Sequence, residues 1–202
     1  MTGDTATAVL EVTEEDGLRA DLYDLLSLLL SRPPTAAVLA EIATLTGDET
    51  ELGAAVTTLA HAAKRTDARR ADREFHNLFI GLGRGELLPY ASVYLTGFLH
   101  EKPLARVRRD MATLGLTRAA GVAEPEDGIA TLCEVMAAAI RGTHGQAAPL
   151  SRQKELFNAH LAPWAGHFFA DLEGAKTAEF YRPVGTVGRL FVEIEKQAFR
   201  MA

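Results

Sequence analysis

The stretch Thr13-Glu14-Glu15-Asp16-Gly17-Leu18-Arg19-Ala20-Asp21-Leu22-Tyr23-Asp24-Leu25-Leu26-Ser27-Leu28-Leu29-Leu30-Ser31-Arg32-Pro33-Pro34 settles the fold class. A threonine that can cap a first turn of three acids, and a proline pair that ends the run, are the two boundaries of a helix. Between them Leu18, Leu22, Leu25, Leu26 and Leu29 recur at helical spacing and are expected on one buried face.

The same signals recur along the chain, and alternating β-branched runs bounded by turns do not. The expected class is therefore all-α: a single globular bundle of about nine to eleven helices. Thr35 is expected to cap a second helix with Val38, Leu39, Ile42 and Leu45 inward, and Asp48 with Glu51 reads as a capping box for a third. The third carries Leu52, Val56, Leu59 and Ala63 at helical spacing. A fourth runs from about Asp67 to Phe79 and gives way to Gly81-Leu82-Gly83-Arg84-Gly85. A short helix is expected over Ala91 to His100. Pro103 suits the first position of the next helix, with Leu104, Val107, Met111 and Leu114 periodic and Gly115 as its stop.

Pro125 is expected to open a helix burying Ile129, Leu132, Cys133, Met136 and Ile140. Ser151 is expected to cap one that carries Leu156, Phe157 and Leu161, is interrupted near Pro163, and resumes with Trp164, Phe168 and Leu172. The last helix is expected from about Thr177, with Gly185 and Gly188 admitting a close neighbour. The organisation read from this pattern is a tail over residues 1–12, a helical subdomain over 13–115, a linker over 116–124 and a second helical subdomain over 125–202.

Composition bounds the function. Of 202 residues 48% are hydrophobic, enough for a sizeable core. No basic, apolar, small-residue leader opens the chain, and Leu25 to Leu30 is far short of the ~20 residues of a membrane span, so a cytoplasmic protein without membrane insertion is expected. The net charge of −6 is unevenly spread: residues 1–63 hold eleven acids and two bases, residues 64–118 eleven bases and six acids. The overall field repels phosphate and disfavours nucleic acid as partner. The lone Cys133 cannot form an internal disulfide and is expected in the core.

Catalytic and metal signals are lacking. The glycine cluster has neither the lysine nor the preceding strand of a phosphate loop, no histidine has a partner at metal-binding spacing on a helix, and no nucleophile elbow is present. No enzyme activity, metal or cofactor is expected. What stands out is Glu74-Phe75-His76-Asn77-Leu78-Phe79, the glycines, and Pro89-Tyr90-Ala91-Ser92-Val93-Tyr94. Aromatics flanking a flexible loop suit a groove for a peptide, with apolar walls and a few orienting hydrogen bonds.

This block, through Ile80-Gly81 and on to Leu95, resembles the E-[FY]-x-x-L-F-x-G…P-[YW]-x-S-x-Y segment of the TorD/DmsD family of redox-enzyme maturation chaperones, related to the NarJ group. Arg19-Ala20-Asp21-Leu22-Tyr23 before Arg32-Pro33-Pro34 is similar to the family's opening helix, Phe157 to Trp164 to its F-x-x-H-L-x-P-W segment, and Phe180-Tyr181 also agrees. Glu124-Pro125-Glu126-Asp127-Gly128 stands in the place of the family's E-P-x-D-H motif, with Gly128 where the pattern has histidine.

The resemblance implies binding of a twin-arginine leader and of the apo form of a molybdopterin-dependent oxidoreductase, both held until the cofactor is inserted and the enzyme is proofread for export. Two arginines beside an apolar stretch need carboxylates beside an apolar groove. Glu124, Glu126 and Asp127 are the candidate carboxylates, and Phe75, Leu78, Phe79, Pro89, Tyr90, Ser92 and Tyr94 the candidate walls. A monomer or a domain-swapped dimer is compatible with hinges between helices. A guanine-nucleotide-binding helical protein and a helical transcriptional regulator are the alternatives, each short of its own motif.

Overall fold

Hydroxyl and carboxylate caps set the starts of the first four helices. Thr13 accepts from the Asp16 N–H at the head of α1 (Glu14–Ser31), Thr35 from Val38 at α2 (Ala36–Ile42), Thr50 from Gly53 at α3 (Glu51–Arg65), and Asp67 from Arg70 at α4 (Ala68–Phe75). The computed structural model describes residues 12–117, 124–143 and 145–202. Among them a π-helical turn, His76–Ile80, extends α4, and α5 (Ala91–Thr96), α6 (Lys102–Thr113), α7 (Ile129–Arg141), α8 (Leu150–His160), α9 (Ala165–Gly174) and α10 (Tyr181–Met201) complete the chain. Ten α-helices and no strand among the described residues agree with the expected class. Residues 1–11 of the expected tail and 118–123 of the expected linker lie outside the described residues.

Several boundaries and faces differ from the expectation. Leu18 is 61% exposed, and the buried stripe of α1 runs through Ala20, Tyr23, Leu26, Leu29 and Leu30 instead. The leucine count misplaced this face because Leu22 and Leu25 lie at its edge, half-buried, while Tyr23 is its centre. Leu45, beyond the end of α2, is also exposed. The cap of α3 is Thr50 rather than Asp48; Asp48 accepts the N–H and the hydroxyl of Thr50, and these bonds lower its pKa. α5 stops at Thr96, short of His100, because Gly97 turns left-handed at φ 85°.

α7 begins at Ile129, not Pro125. The backbone of 125–128 is drawn into a turn by an antiparallel bridge between Tyr90 and Gly128, in which Ala91 N–H donates to Asp127 C=O and Ile129 N–H to Pro89 C=O. α8 begins one residue before Ser151, with Pro149 in the capping position. α10 begins at Tyr181, not Thr177, because side chains from elsewhere take the N–H groups of the preceding turn, as described below.

α1 packs against α7 and α10 against both α9 and α3, so helices from either side of residues 116–124 share one core. Arg141 of α7 pairs with Asp21 and Asp24 of α1 across the rim of the first contact. The α9–α10 contact needs glycine. A Cβ on Gly188 would lie 2.2 Å from the Phe169 ring, and one on Gly185 would lie 2.6 Å from the Glu173 backbone nitrogen. Around this contact Trp164, Phe168, Phe169, Phe180, Tyr181 and Phe191 are fully buried. Their apolar surface, at ~25 cal/mol per Å² removed from water, is the main source of stability.

A charged network crosses the same core. Arg19 of α1 binds Glu195 of α10 through both Nε (2.8 Å) and a terminal nitrogen (2.9 Å), and the Tyr23 hydroxyl donates to the same carboxylate at 2.9 Å. Asp16 and Gln153 accept from the other terminal nitrogen of Arg19. A pair with one buried partner holds best when it is well hydrogen-bonded, and here the buried Glu195 carboxylate receives three hydrogen bonds.

Candidate functional site

The fourth helix widens into a π turn where the conspicuous aromatics begin. Phe75 lies 5.0 Å from Phe79 and 6.0 Å from Tyr181 between ring centroids, and Phe79 lies 5.6 Å from Tyr181. Phe75 and Leu78 are buried, and Phe79 is half-buried. Phe75 and Phe79 therefore pack on the start of α10, with Phe79 keeping one side open.

Beyond them Gly81, at φ 62°, lets the chain fold back within a few residues. Glu86 and Leu87 then donate to the carbonyls of Asn77 and Leu78, which ties the segment leading to Pro89 back to the π turn. Ile80 and Leu82 are left exposed on the outside of this loop.

Glu74 and Glu86 do something that sequence inspection missed. Glu74, itself buried, accepts the backbone N–H groups of Glu179 (2.7 Å), Phe180 (3.0 Å) and Tyr181 (2.7 Å). Glu86 accepts those of Lys176 and Thr177 and the Thr177 hydroxyl. Together they hold the whole approach to α10, and these bonds lower the Glu86 pKa. An N-terminal helix end offers unsatisfied N–H groups and a positive dipole end, which a carboxylate from another element can complete. The only signal in sequence was the position of both acids inside the conspicuous block.

The tyrosine turn meets the acidic turn. Through the Tyr90–Gly128 bridge, Pro89, Tyr90 and Ser92 stand beside Glu124 and Asp127. The Tyr90 hydroxyl donates to Glu124, and burial with that carboxylate pushes the phenol pKa well above its ordinary value. Asp127 is fully buried; its Oδ2 accepts the Ser92 N–H and hydroxyl, while Oδ1 has no hydrogen-bond partner among the described residues. Glu126 pairs with Arg108 of α6 through Nε at 3.0 Å and a terminal nitrogen at 2.9 Å. A Cβ on Gly128 would sit 3.5 Å from the Tyr90 ring, so this glycine lies directly beneath the tyrosine.

Tyr94, one turn beyond Tyr90 on α5, leaves this cluster for another. Its ring is 5.3 Å from Trp164 and 6.1 Å from Phe168, and its hydroxyl donates to Asp171 at 2.9 Å. Trp164 in turn donates to the His160 carbonyl, and the His160 ring meets Asp110 at 2.8 Å. The exposed carboxylate of the site is thus Glu124, backed by a buried Asp127 with one spare acceptor. Among the described residues no group of three or more histidines, cysteines or acids is arranged to hold a metal. Cys133 is buried, and burial raises its thiol pKa far above neutrality. No described helix is long and apolar enough to cross a membrane.

Residues 46–170 match the family model described as nitrate reductase delta subunit. The chaperone protein TorD of Aliivibrio salmonicida is 28% identical over 149 residues, covering 69% of this chain and 69% of its own. The chaperone protein TorD of Aliivibrio fischeri is 28% identical over 179 residues, covering 78% of this chain and 83% of its own. In fold the chain is similar to the crystal structure of a protein from Archaeoglobus fulgidus described as a redox enzyme maturation protein. That likeness has a TM-score of 0.57 at 20% identity and covers 93% of this chain and 99% of the other.

Proposed function

Because the chain belongs to the TorD/NarJ family of redox-enzyme maturation chaperones, we propose that it binds, in the cytoplasm, the twin-arginine leader and the apo form of a molybdopterin-dependent oxidoreductase, holding both until the cofactor is inserted. It catalyses no reaction of its own; its work is to mask the leader and keep the apoenzyme open to its cofactor.

The observation that carries this reading is the acidic turn docked on the tyrosine turn. Glu124 is exposed and accepts the Tyr90 hydroxyl, and Asp127, three residues on, is buried with an Oδ1 that has no hydrogen-bond partner among the described residues. A guanidinium arriving at Glu124 would make charge-assisted hydrogen bonds of the kind that Arg108 already makes with Glu126. Pro89, the Tyr90 ring and the open side of Phe79 supply apolar surface for the stretch that follows the arginines in a leader. Ile80 and Leu82, in the loop between Phe79 and Pro89, are further exposed apolar side chains.

The test is titration calorimetry of a leader peptide, and of its Lys-Lys version, against wild type and Glu124→Gln. Wild type should prefer Arg-Arg, and Glu124→Gln should weaken binding by about 1.5–3 kcal/mol and lose most of that preference. Equal affinity for both peptides, or full discrimination by Glu124→Gln, would remove the acidic turn as the arginine reader.

A further inference from the structure

On the opposite chemistry to the acidic turn, a groove of about 540 Å³ opens between α8, α10 and the turn that joins α8 to α9. It is lined by Lys154, Asn158, Ala162, Pro163, Lys196 and Arg200, with Phe199 at its floor. Lys196 and Arg200 are one helical turn apart on α10, and Lys154 faces them from α8. Like charges at this spacing on a helix repel and destabilise it by a few tenths of a kcal/mol.

No ion pair among the described residues neutralises them. Neither lysine nor Arg200 forms an ion pair or side-chain hydrogen bond there. Of the nearest acids in sequence, Glu155 pairs with Arg152 and Glu195 with Arg19 and Tyr23, while exposed Glu193 accepts a hydrogen bond from the neutral Gln197. The Lys196 ammonium nitrogen also lies 3.4 Å from the Cβ position of Gly166, in the first turn of α9, so a positive helix end adds to the same field. Three cations without an ion pair among the described residues, beside Phe199 whose ring also carries the Arg19 guanidinium at 5.3 Å, form a positive site on a chain whose net charge is −6.

We propose that this groove docks an acidic, partly apolar segment of the client polypeptide, at a place separate from the leader site. The inference rests on the chaperone reading above for the identity of the partner. The groove is open along its length, so it cannot enclose most of the surface of a small molecule, as ligand pockets do, but it can accept an extended chain. Lysines supply point charges without fixed geometry, which suits carboxylates spaced along a peptide. Phe199, Pro163 and Ala162 between them suit the apolar side chains interleaved with those carboxylates. A second copy of this chain is disfavoured as occupant, because two molecules of net −6 repel at long range.

The experiment uses the full-length protein and a short fluorescent peptide alternating glutamate and leucine, with its glutamine-leucine counterpart as control. Wild type should bind the acidic peptide in a salt-dependent way and ignore the control. The triple variant Lys154→Gln, Lys196→Gln, Arg200→Gln should lose about tenfold or more in affinity, the effect of removing roughly 1.4 kcal/mol. Its thermal midpoint should be equal or higher, since repulsion is relieved, and leader-peptide affinity should not change.

Unchanged acidic-peptide affinity in the variant, or equal binding of the control, overturns the groove. Displacement of the peptide by inorganic pyrophosphate at equimolar concentration assigns it to small anions instead. A concentration-dependent dimer of wild type that the variant loses, seen by sedimentation, assigns it to self-association. If leader binding fails in wild type while the acidic peptide still binds and the variant loses it, the chaperone reading falls and the groove stands. The reverse pattern removes the groove alone.

Discussion

Asp127 accepts two hydrogen bonds from one residue, Ser92: its backbone N–H at 2.8 Å and its hydroxyl at 2.5 Å. Both residues are fully buried, so the pair fastens the start of α5 to the turn before α7 in a place water does not reach. Asp127→Asn keeps an acceptor but loses the charge, and should cost about 1–3 kcal/mol in urea unfolding; Ser92→Ala should cost about 1 kcal/mol. The two should be non-additive in a double-mutant cycle. Additive effects would mean the two residues act separately.

Glu74 completes the N-terminal end of α10 from another helix, receiving three backbone N–H groups. Glu74→Ala strands those donors in a buried setting and should destabilise the fold by about 3 kcal/mol or more. Glu74→Gln keeps an acceptor oxygen and should recover part of the loss. If instead Glu74 serves to contact a ligand, Glu74→Ala would leave the urea midpoint in place and change peptide affinity.

Gly188 meets the face of Phe169 with no room for a methyl group. Gly188→Ala has the better helix propensity, by about 1 kcal/mol, yet should lower stability by about 1–3 kcal/mol because the ring and its helix must move. The double variant Gly188→Ala, Phe169→Leu should regain part of that loss. A Gly188→Ala protein more stable than wild type would show that the α9–α10 contact is looser than described.

His160 titrates against stability in a defined direction. Burial lowers its pKa below the ordinary 6.5, outweighing the hydrogen bond to Asp110 that acts to raise it. A histidine whose native pKa is depressed binds protons more readily when unfolded, so its contribution favours the native state above about pH 6.5 and is lost as pH falls below that value. The thermal midpoint of wild type should therefore drop between neutral and mildly acidic pH, and His160→Gln should show a smaller drop over the same interval. An equal or larger drop in the variant would assign the acid sensitivity elsewhere.

Much of the helical plan was legible because its causes are local. Thr13, Thr35 and Asp67 cap the turns they precede, Gly115 turns left-handed at φ 70° where a stop was expected, and the apolar period of 129–140 needs no partner to be recognised. The Gly185 and Gly188 spacing likewise anticipated the close approach of a neighbour. The aromatic block around Phe75 and Tyr90 and the acidic segment at 124–127 could be singled out by composition and by resemblance to the family.

What only the tertiary structure decided is which atoms meet across long separations. Leucine spacing could not tell that Tyr23, not Leu18, is the buried centre of α1, because that depends on where α7 and α10 lie. Whether a carboxylate is exposed, paired or buried is equally a matter of distant partners: Glu124 faces Tyr90, Glu126 faces Arg108, and Asp127 closes on Ser92, although all three are neighbours in one short segment. The assignment of Glu74 to residues 179–181 and of Glu195 to Arg19 has the same origin. Capping and periodicity are properties of a few consecutive residues and can be read along the chain. Desolvation and pairing of charges depend on burial and on separations of a few ångströms, which exist only once the helices have packed.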